Sequence, residues 1–205
     1  MATFRASFAG GGSGGTGNRS ATAGTPVAGD LFVVFCNVSG NTNASPTCSD
    51  DNGGTYTRVL SGLKNASADA FSVFVRNQFL PNTTSTVVTV ATGSNTAGQI
   101  VIVALAGMFK RGASSIRQSA KQENQAASTT PAPAFPASAL TANVTLGGVA
   151  NGTNPATMTT PVGWTERQDV GQANPATGLE VVSRDSGFTG TTITWGGTSA
   201  SAFGS

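Results

Sequence analysis

Histidine is absent from the 205 residues of this chain, which removes the commonest general base, the Ser-His-Asp and Cys-His nucleophile arrangements and the commonest transition-metal ligand. Charge is scarce as well, since Asp, Glu, Lys and Arg make up 10% of the residues against about a quarter in an ordinary domain. Eleven Lys and Arg against nine Asp and Glu leave a net charge of +2, too little for the basic face that a nucleic-acid binder needs. No stretch approaches the ~18 apolar residues of a membrane-spanning helix, and "MATFRASFAGGGSGG" has no apolar run behind a basic start. The chain is therefore expected to be made and kept inside a cell, or assembled there, with neither a membrane nor nucleic acid as its partner. Cysteine is limited to Cys36 and Cys48. A bridge across a hairpin is open to them, but without a leader reduced thiols are the default, and Cys36 lies in an apolar run where a thiol packs. On the same ground the Asn-x-Ser/Thr triplets at Asn18, Asn37, Asn43, Asn65, Asn82, Asn143 and Asn151 read as chance in a chain rich in Asn, Ser and Thr.

What the sequence does carry is period-two alternation broken by turn residues. Apolar or β-branched runs occur at 3–8, 30–38, 55–60, 70–77, 85–92, 99–108, 140–149, 163–170, 179–185 and 191–197, bounded by Gly, Asn, Asp, Pro and Ser. No window supports a long amphipathic helix. Strands at this spacing without intervening helices predict an all-β fold, an antiparallel β-sandwich of jelly-roll type. At 205 residues one domain over 30–205 is enough to bury roughly 70% of the unfolded surface. Residues 1–29 read as a strand followed by a Gly-rich arm, and 109–138 as a connection, extended and rich in Pro and Ala over 122–138.

The chain also repeats itself. At a shift of 108 residues Trp164 falls on Tyr56, Thr165 on Thr57, Leu179 on Phe71, Val181 on Val73 and Arg184 on Arg76. This predicts two pseudo-repeated strand sets, 30–108 and 139–205, with "DLFVVFCNVSG" opposite "ALTANVTLGGV" within a residue of that shift. Trp164 and Tyr56 then become equivalent aromatic anchors of the core.

The carboxylate pairs Asp50 with Asp51, Glu166 with Asp169, and Glu180 with Asp185 are the remaining material for acid-base chemistry. Acids at turns and strand ends meet the ~5–10 Å spacing of a glycosidase pair by accident, so no catalytic residue is expected. Asp50, Asp51 and Asn52 lack the spaced ligands of a calcium loop, and "DDNGG" reads as a hairpin turn. "GGGSGG" lacks the Lys-Ser/Thr ending of a phosphate cradle. No metal or cofactor is expected, and the basic residues Lys110, Arg111, Arg117 and Lys121 fall in a polar connection.

The order "AGDLFVVF", an aromatic after a Gly-containing turn, "SVFVRN", "TVVTV", an apolar strand, a Pro/Ala/Ser/Thr connection and "PVGWT...GLEVVSRD...TTITWGGTSASAF" resembles β-sandwich proteins of bacteriophage virions and related bacterial surface proteins. The resemblance covers about residues 28–205, and it departs at the end, where "SASAFGS" replaces a long apolar strand. It implies a non-enzymatic structural protein of a phage particle, a capsid decoration or cement protein. Its partners would be the major capsid protein or other virion subunits, bound as a homo-oligomer or as lattice copies in the virion after synthesis in the host cytoplasm. A glycan- or receptor-binding module of a tail fibre or adhesin is the alternative. The residues expected to meet a partner are Phe4, Arg5 and Phe8 on the N-terminal strand and Lys110, Arg111 and Arg117 in the connection. The Gly-rich arm cannot stabilise its own ordering, so residues 1–24 are expected to be held by a neighbouring subunit through β-augmentation, the alternative being pairing within the same sandwich.

Overall fold

The computed structural model describes residues 1–13, 17–40, 45–64, 69–95, 97–123, 130–151, 158–173, 176–197 and 202–204. The fold is all-β and antiparallel, as the alternation predicts. The only helical element among the described residues is one 3-10 turn, Gly112–Ser115. The strands are β1 (Thr3–Ser13), β2 (Arg19–Ala23), β3 (Leu31–Ser39), β4 (Thr47–Asp50), β5 (Tyr56–Lys64), β6 (Asp69–Arg76), β7 (Thr86–Ala91) and β8 (Ala97–Ala106). They continue with β9 (Gln122–Glu123), β10 (Thr145–Asn151), β11 (Met158–Thr159), β12 (Thr165–Ala173), β13 (Ala176–Arg184), β14 (Gly196–Gly197) and β15 (Ala202–Gly204).

Two five-stranded sheets, β1-β8-β3-β6-β5 and β12-β13-β10-β15-β9, lie face to face. Leu31, Val33, Phe35, Val73, Val101, Val103 and Leu105 from the first meet Ala150, Leu179 and Val181 from the second. The opposite side chains of the same strands, Phe32, Val34, Cys36, Ile100 and Ile102, pack against the outer sheet β2-β7-β4. This is why "LFVVFCNV" is apolar without a break: a strand buried on both faces has no polar side to alternate with. On the far side Val149, Val182, Ile193 and Trp195 form a third cluster with Met158 and Phe188. It is closed by the β11-β14 pair and by an extended segment whose residues Pro131, Pro133 and Phe135 hydrogen-bond with Trp195, Ile193 and Thr191. The sandwich is thus four layers deep. Asn37, buried in β3, crosses the central interface and donates to Thr177 Oγ1 at 2.9 Å and the Gly178 carbonyl at 3.0 Å. That triplet cannot carry a glycan in the folded chain.

The pairing of the two halves coincides over one hairpin. Thr57 faces Val75 and Arg58 faces Phe74, with a bulge before Leu60 resumes opposite Val73. At an offset of 108, Thr165 faces Ser183 and Glu166 faces Val182, with a bulge before Gln168 resumes opposite Val181. The neighbouring strand does not keep that offset. Val33 pairs with Val75 and Leu146 with Ser183, an offset of 113 (33 to 146), five beyond the hairpin's 108, so the expected alignment of "DLFVVFCNVSG" at 109 (30 to 139) is corrected by four residues. The reason is local: Leu140 to Asn143 close a turn, with the Asn143 N–H on the Leu140 carbonyl, and β10 begins only at Thr145.

The expectation that residues 1–24 form an arm for a neighbouring subunit is also corrected. β1 runs to Ser13 and pairs with β8 from Thr3↔Ala106 to Ser13↔Ala97, and β2 pairs with β7. Gly10 and Gly11, which look like linker, are sites of close approach. A Cβ on Gly10 would stand 2.3 Å from the Ser20 carbonyl oxygen, and one on Gly11 2.1 Å from Gln99 Oε1. The same logic explains "LGGV" in β10, where a Cβ on Gly147 would meet the Trp195 ring at 2.8 Å and one on Gly148 the Phe35 ring at 2.7 Å.

Trp195, wholly buried, is the indole at the centre of the third cluster. Trp164, expected as a core anchor, sits half-buried at its rim with its ring 5.1 Å from Phe188, edge to face. It follows the turn closed by its own N–H on the Pro161 carbonyl and precedes β12, so only one side of the indole reaches the core. Both cysteines are free and buried, and burial pushes the Cys36 thiol up to about 12. A thiol so desolvated is an inert core side chain.

Candidate functional site

Two groups of residues stand out from ordinary packing. The first is at the end of the molecule where β8 leaves its sheet. Gly107 takes φ +66°, and a side chain there would collide with the Met1 carbonyl, so chain start and β8 exit lie together. Met108 turns partly inward, Phe109 is 90% exposed, and Lys110 and Arg111 follow on the surface. The Arg111 guanidinium lies 5.8 Å from the Phe79 ring centroid. The 3-10 turn behind it is tied by the Ser114 hydroxyl on the Arg111 carbonyl and the Ser115 hydroxyl on the Gly112 carbonyl, both at 2.7 Å. Leu140, 46% exposed, stands on the same rim. Behind this rim a cavity of about 210 Å³ opens between the two large sheets, floored by Val33, Phe35 and Leu105 and walled by Met108, Ile116 and Leu146. Arg117 and Gln118 lie at its mouth.

Of the basic residues singled out in the sequence, Lys110, Arg111 and Arg117 are brought to this end, whereas Lys121 is spent elsewhere, donating to the Ser61 carbonyl at 2.8 Å and to Glu123 at 2.6 Å. The residues singled out on the N-terminal strand are engaged inside the chain. Phe4 packs against the central cluster under the Arg167 guanidinium, 3.7 Å above its ring, and Phe8 packs against the outer cluster. Arg5, at a bulge in β1, places Nε 2.6 Å from the buried Asp30 Oδ2, although its N–H direction misses hydrogen-bond geometry. Burial raises the Asp30 carboxyl and Arg5 partly offsets this.

The second group is acidic. Asp169 and Glu180 are register partners on β12 and β13, and the Thr160 hydroxyl sits 2.8 Å from Glu180 Oε1 and 3.2 Å from Glu166 Oε2. Glu180 is buried, with Oε2 lacking a hydrogen-bond partner; the Trp195 Nε1 nearby, equally unpartnered, adds only a weak interaction. Burial, opposed by the Thr160 bond and reinforced by Glu166 and Asp169, raises the Glu180 carboxyl to about 7. Because its folded value lies above the ordinary 4.5, this group contributes stability below that value and loses it as pH rises towards 7. Glu180→Gln is expected to flatten this part of the stability profile and to leave the variant more stable than the parent at pH 8, as read from urea unfolding across pH. A variant whose profile keeps the parental slope would show that Glu180 does not titrate there.

The other expected acid pairs do not form pairs. Asp185 accepts the Phe4 N–H at 3.2 Å and lies 3.6 Å from Arg167, away from Glu180's partners. Asp51 accepts the Val87 N–H at 2.9 Å. Asp50 is the one that matters structurally. It accepts from Gly54 N–H at 2.8 Å, Tyr56 Oη at 3.0 Å and Arg76 Nε at 2.7 Å, with both ion-pair side chains buried. Burial would raise its carboxyl, but those bonds outweigh it and hold the group below 3.8. Sequence reading missed this pair because "DDNGG" satisfies a hairpin turn on its own; Arg76 inside the buried strand "AFSVFVRN" was the available signal. Likewise Glu180 in "GLEVV" is an acid in an apolar run.

Among the described residues no three His, Cys, Asp or Glu side chains are arranged to hold a metal ion, and no helix is long and apolar enough to cross a membrane. Compared with known proteins, the chain matches no family model, and neither a curated protein nor a solved structure matches it significantly.

Proposed function

We propose that this chain is a non-enzymatic structural subunit of a bacteriophage particle, a decoration or cement protein that docks on the outer capsid surface through its Phe109 end. The observation that carries the reading is Phe109 itself. A phenylalanine 90% exposed and followed by two exposed cations is what a protein-binding rim offers and what an isolated soluble surface avoids. Residues 107–120 contain no acidic side chain, so the complementary surface is acidic as well as apolar. The N-terminal strand, folded into the sheet, no longer serves as the tether. The second reading, a glycan-binding module, needs exposed aromatics beside carboxylates or amides. Here Trp195 is buried, Trp164 leans on Phe188 and Tyr56 donates to Asp50.

Phe109→Asp combined with Lys110→Glu is expected to lower binding to purified particles at least about tenfold in cosedimentation, with an unchanged melting temperature. Wild-type chain that fails to cosediment with particles, or a double variant that binds as well as wild type, would reject this docking surface.

A further inference from the structure

The cavity behind the rim has a chemistry of its own. Its floor residues Val33, Phe35 and Leu105 are all buried core side chains of the first large sheet, and Leu146 of the second sheet faces them. The void therefore lies where the two sheets have not closed on each other. At about 210 Å³ it exceeds the ~150 Å³ apolar cavity that accommodates a benzene ring in an engineered protein. Polar side chains also line the void, Ser115, Ser119, Asn143 and Thr145 among them, but Arg117 is the charged residue among the described lining residues. Arg117 is exposed and has neither an ion-pair nor a hydrogen-bond partner among the described residues, while Gln118 is held by its Nε2–H bond to the Ala137 carbonyl at 2.9 Å. An apolar chamber with a single uncommitted guanidinium at its entrance matches one kind of small molecule, an apolar body with one anionic end.

We propose that this cavity binds a small carboxylic acid with an apolar body of single-ring or short-alkyl size. The body displaces solvent between the sheets, and the carboxylate remains at the mouth on Arg117. The acid does not react; the site only binds it. The inference does not depend on where the chain docks, because its test contains no particle.

The probe is 3-phenylpropionate, titrated into the full chain and followed by methyl NMR, with 3-phenylpropan-1-ol and 3-phenylpropylamine as neutral and cationic counterparts. Saturable shifts are expected at the Leu105, Leu146 and Ile116 methyls for the acid, binding about tenfold weaker for the alcohol, and none for the amine. Arg117→Gln, a change at an exposed side chain that leaves the fold intact, should bring the acid down to the level of the alcohol without altering the alcohol. Ile116→Trp, which fills the entrance, should abolish both. Equal binding of acid and alcohol, or an Arg117→Gln variant that binds the acid undiminished, overturns the anion recognition. Absence of saturable shifts up to about 10 mM, or shifts mapping away from these methyls, overturns the site.

Discussion

Replacing Trp195 with alanine is expected to destabilise the protein by about 3–5 kcal/mol, the range for emptying a fully buried indole site. The indole is the largest of the wholly buried side chains, it fills the third cluster between β10, β13 and the 131–135 segment, and Gly147 packed against its ring has no side chain that could swing into the emptied space. Trp164→Ala, at the rim of the same cluster, should cost about 1–2 kcal/mol, in the common range for a partly buried contact. Urea unfolding of the two variants side by side makes the comparison. Equal losses would place the two indoles in equivalent environments, against the geometry described.

Asp50→Ala is expected to be as damaging for a different reason, about 3–5 kcal/mol, because it strands the Arg76 guanidinium in the core without its counter-charge. Arg76 would keep only its Nη1 bonds to the Gln78 and Phe79 carbonyls at 3.1 and 2.9 Å. Asp51→Ala, one residue on but exposed, should cost under about 1 kcal/mol. Two further results separate the ion pair from simple packing. With the Asp50 carboxyl held below 3.8, its contribution is present above that pH and is lost as pH falls through its lowered folded value, so the parent should weaken on acidification and Asp50→Ala should weaken less. The double replacement Asp50→Leu with Arg76→Met should recover part of the loss, since a buried pair exchanged for apolar side chains is often neutral. A single and a double variant equally unstable would mean that the turn, and not the charge, depends on Asp50.

The strands were legible where one physical signal spoke alone. Each of the ten alternating or apolar runs overlaps a strand, because period two and turn residues depend on local sequence only, although 140–144 is taken up by a turn and 191–195 holds a single bridge at Thr192. The misreadings cluster where the same residues have two uses. Glycine-rich 10–12 has the composition of a linker, yet here absence of a side chain is what lets β2 lie against β1. Short elements such as β4 and β11 leave too few residues to show a period, and β2, "RSATA", alternates only between alanine and small polar residues. The shift of 108 matches the registers of β5 on β6 and of β12 on β13, which share a bulge at the same place, and it differs by five residues at β10, where a turn precedes the strand. Of the candidate site, the basic residues were visible, but their company was not. That the segment carrying the exposed Phe109, Lys110 and Arg111 lies between Met108 and Ile116, which wall a cavity shared with Val33, Phe35 and Leu146 of other strands, is a property of the stacked sheets.

The proposed docking of the Phe109 end on a capsid is tested most directly by a photo-crosslinking amino acid at position 109 in intact particles. The expected result is a single crosslinked product to the subunit that forms the outer shell, absent when the crosslinker is moved to the exposed Val87 of the outer β2-β7-β4 sheet. Crosslinks from position 109 only to fibre-tip proteins, or equal yields from both positions, would contradict it.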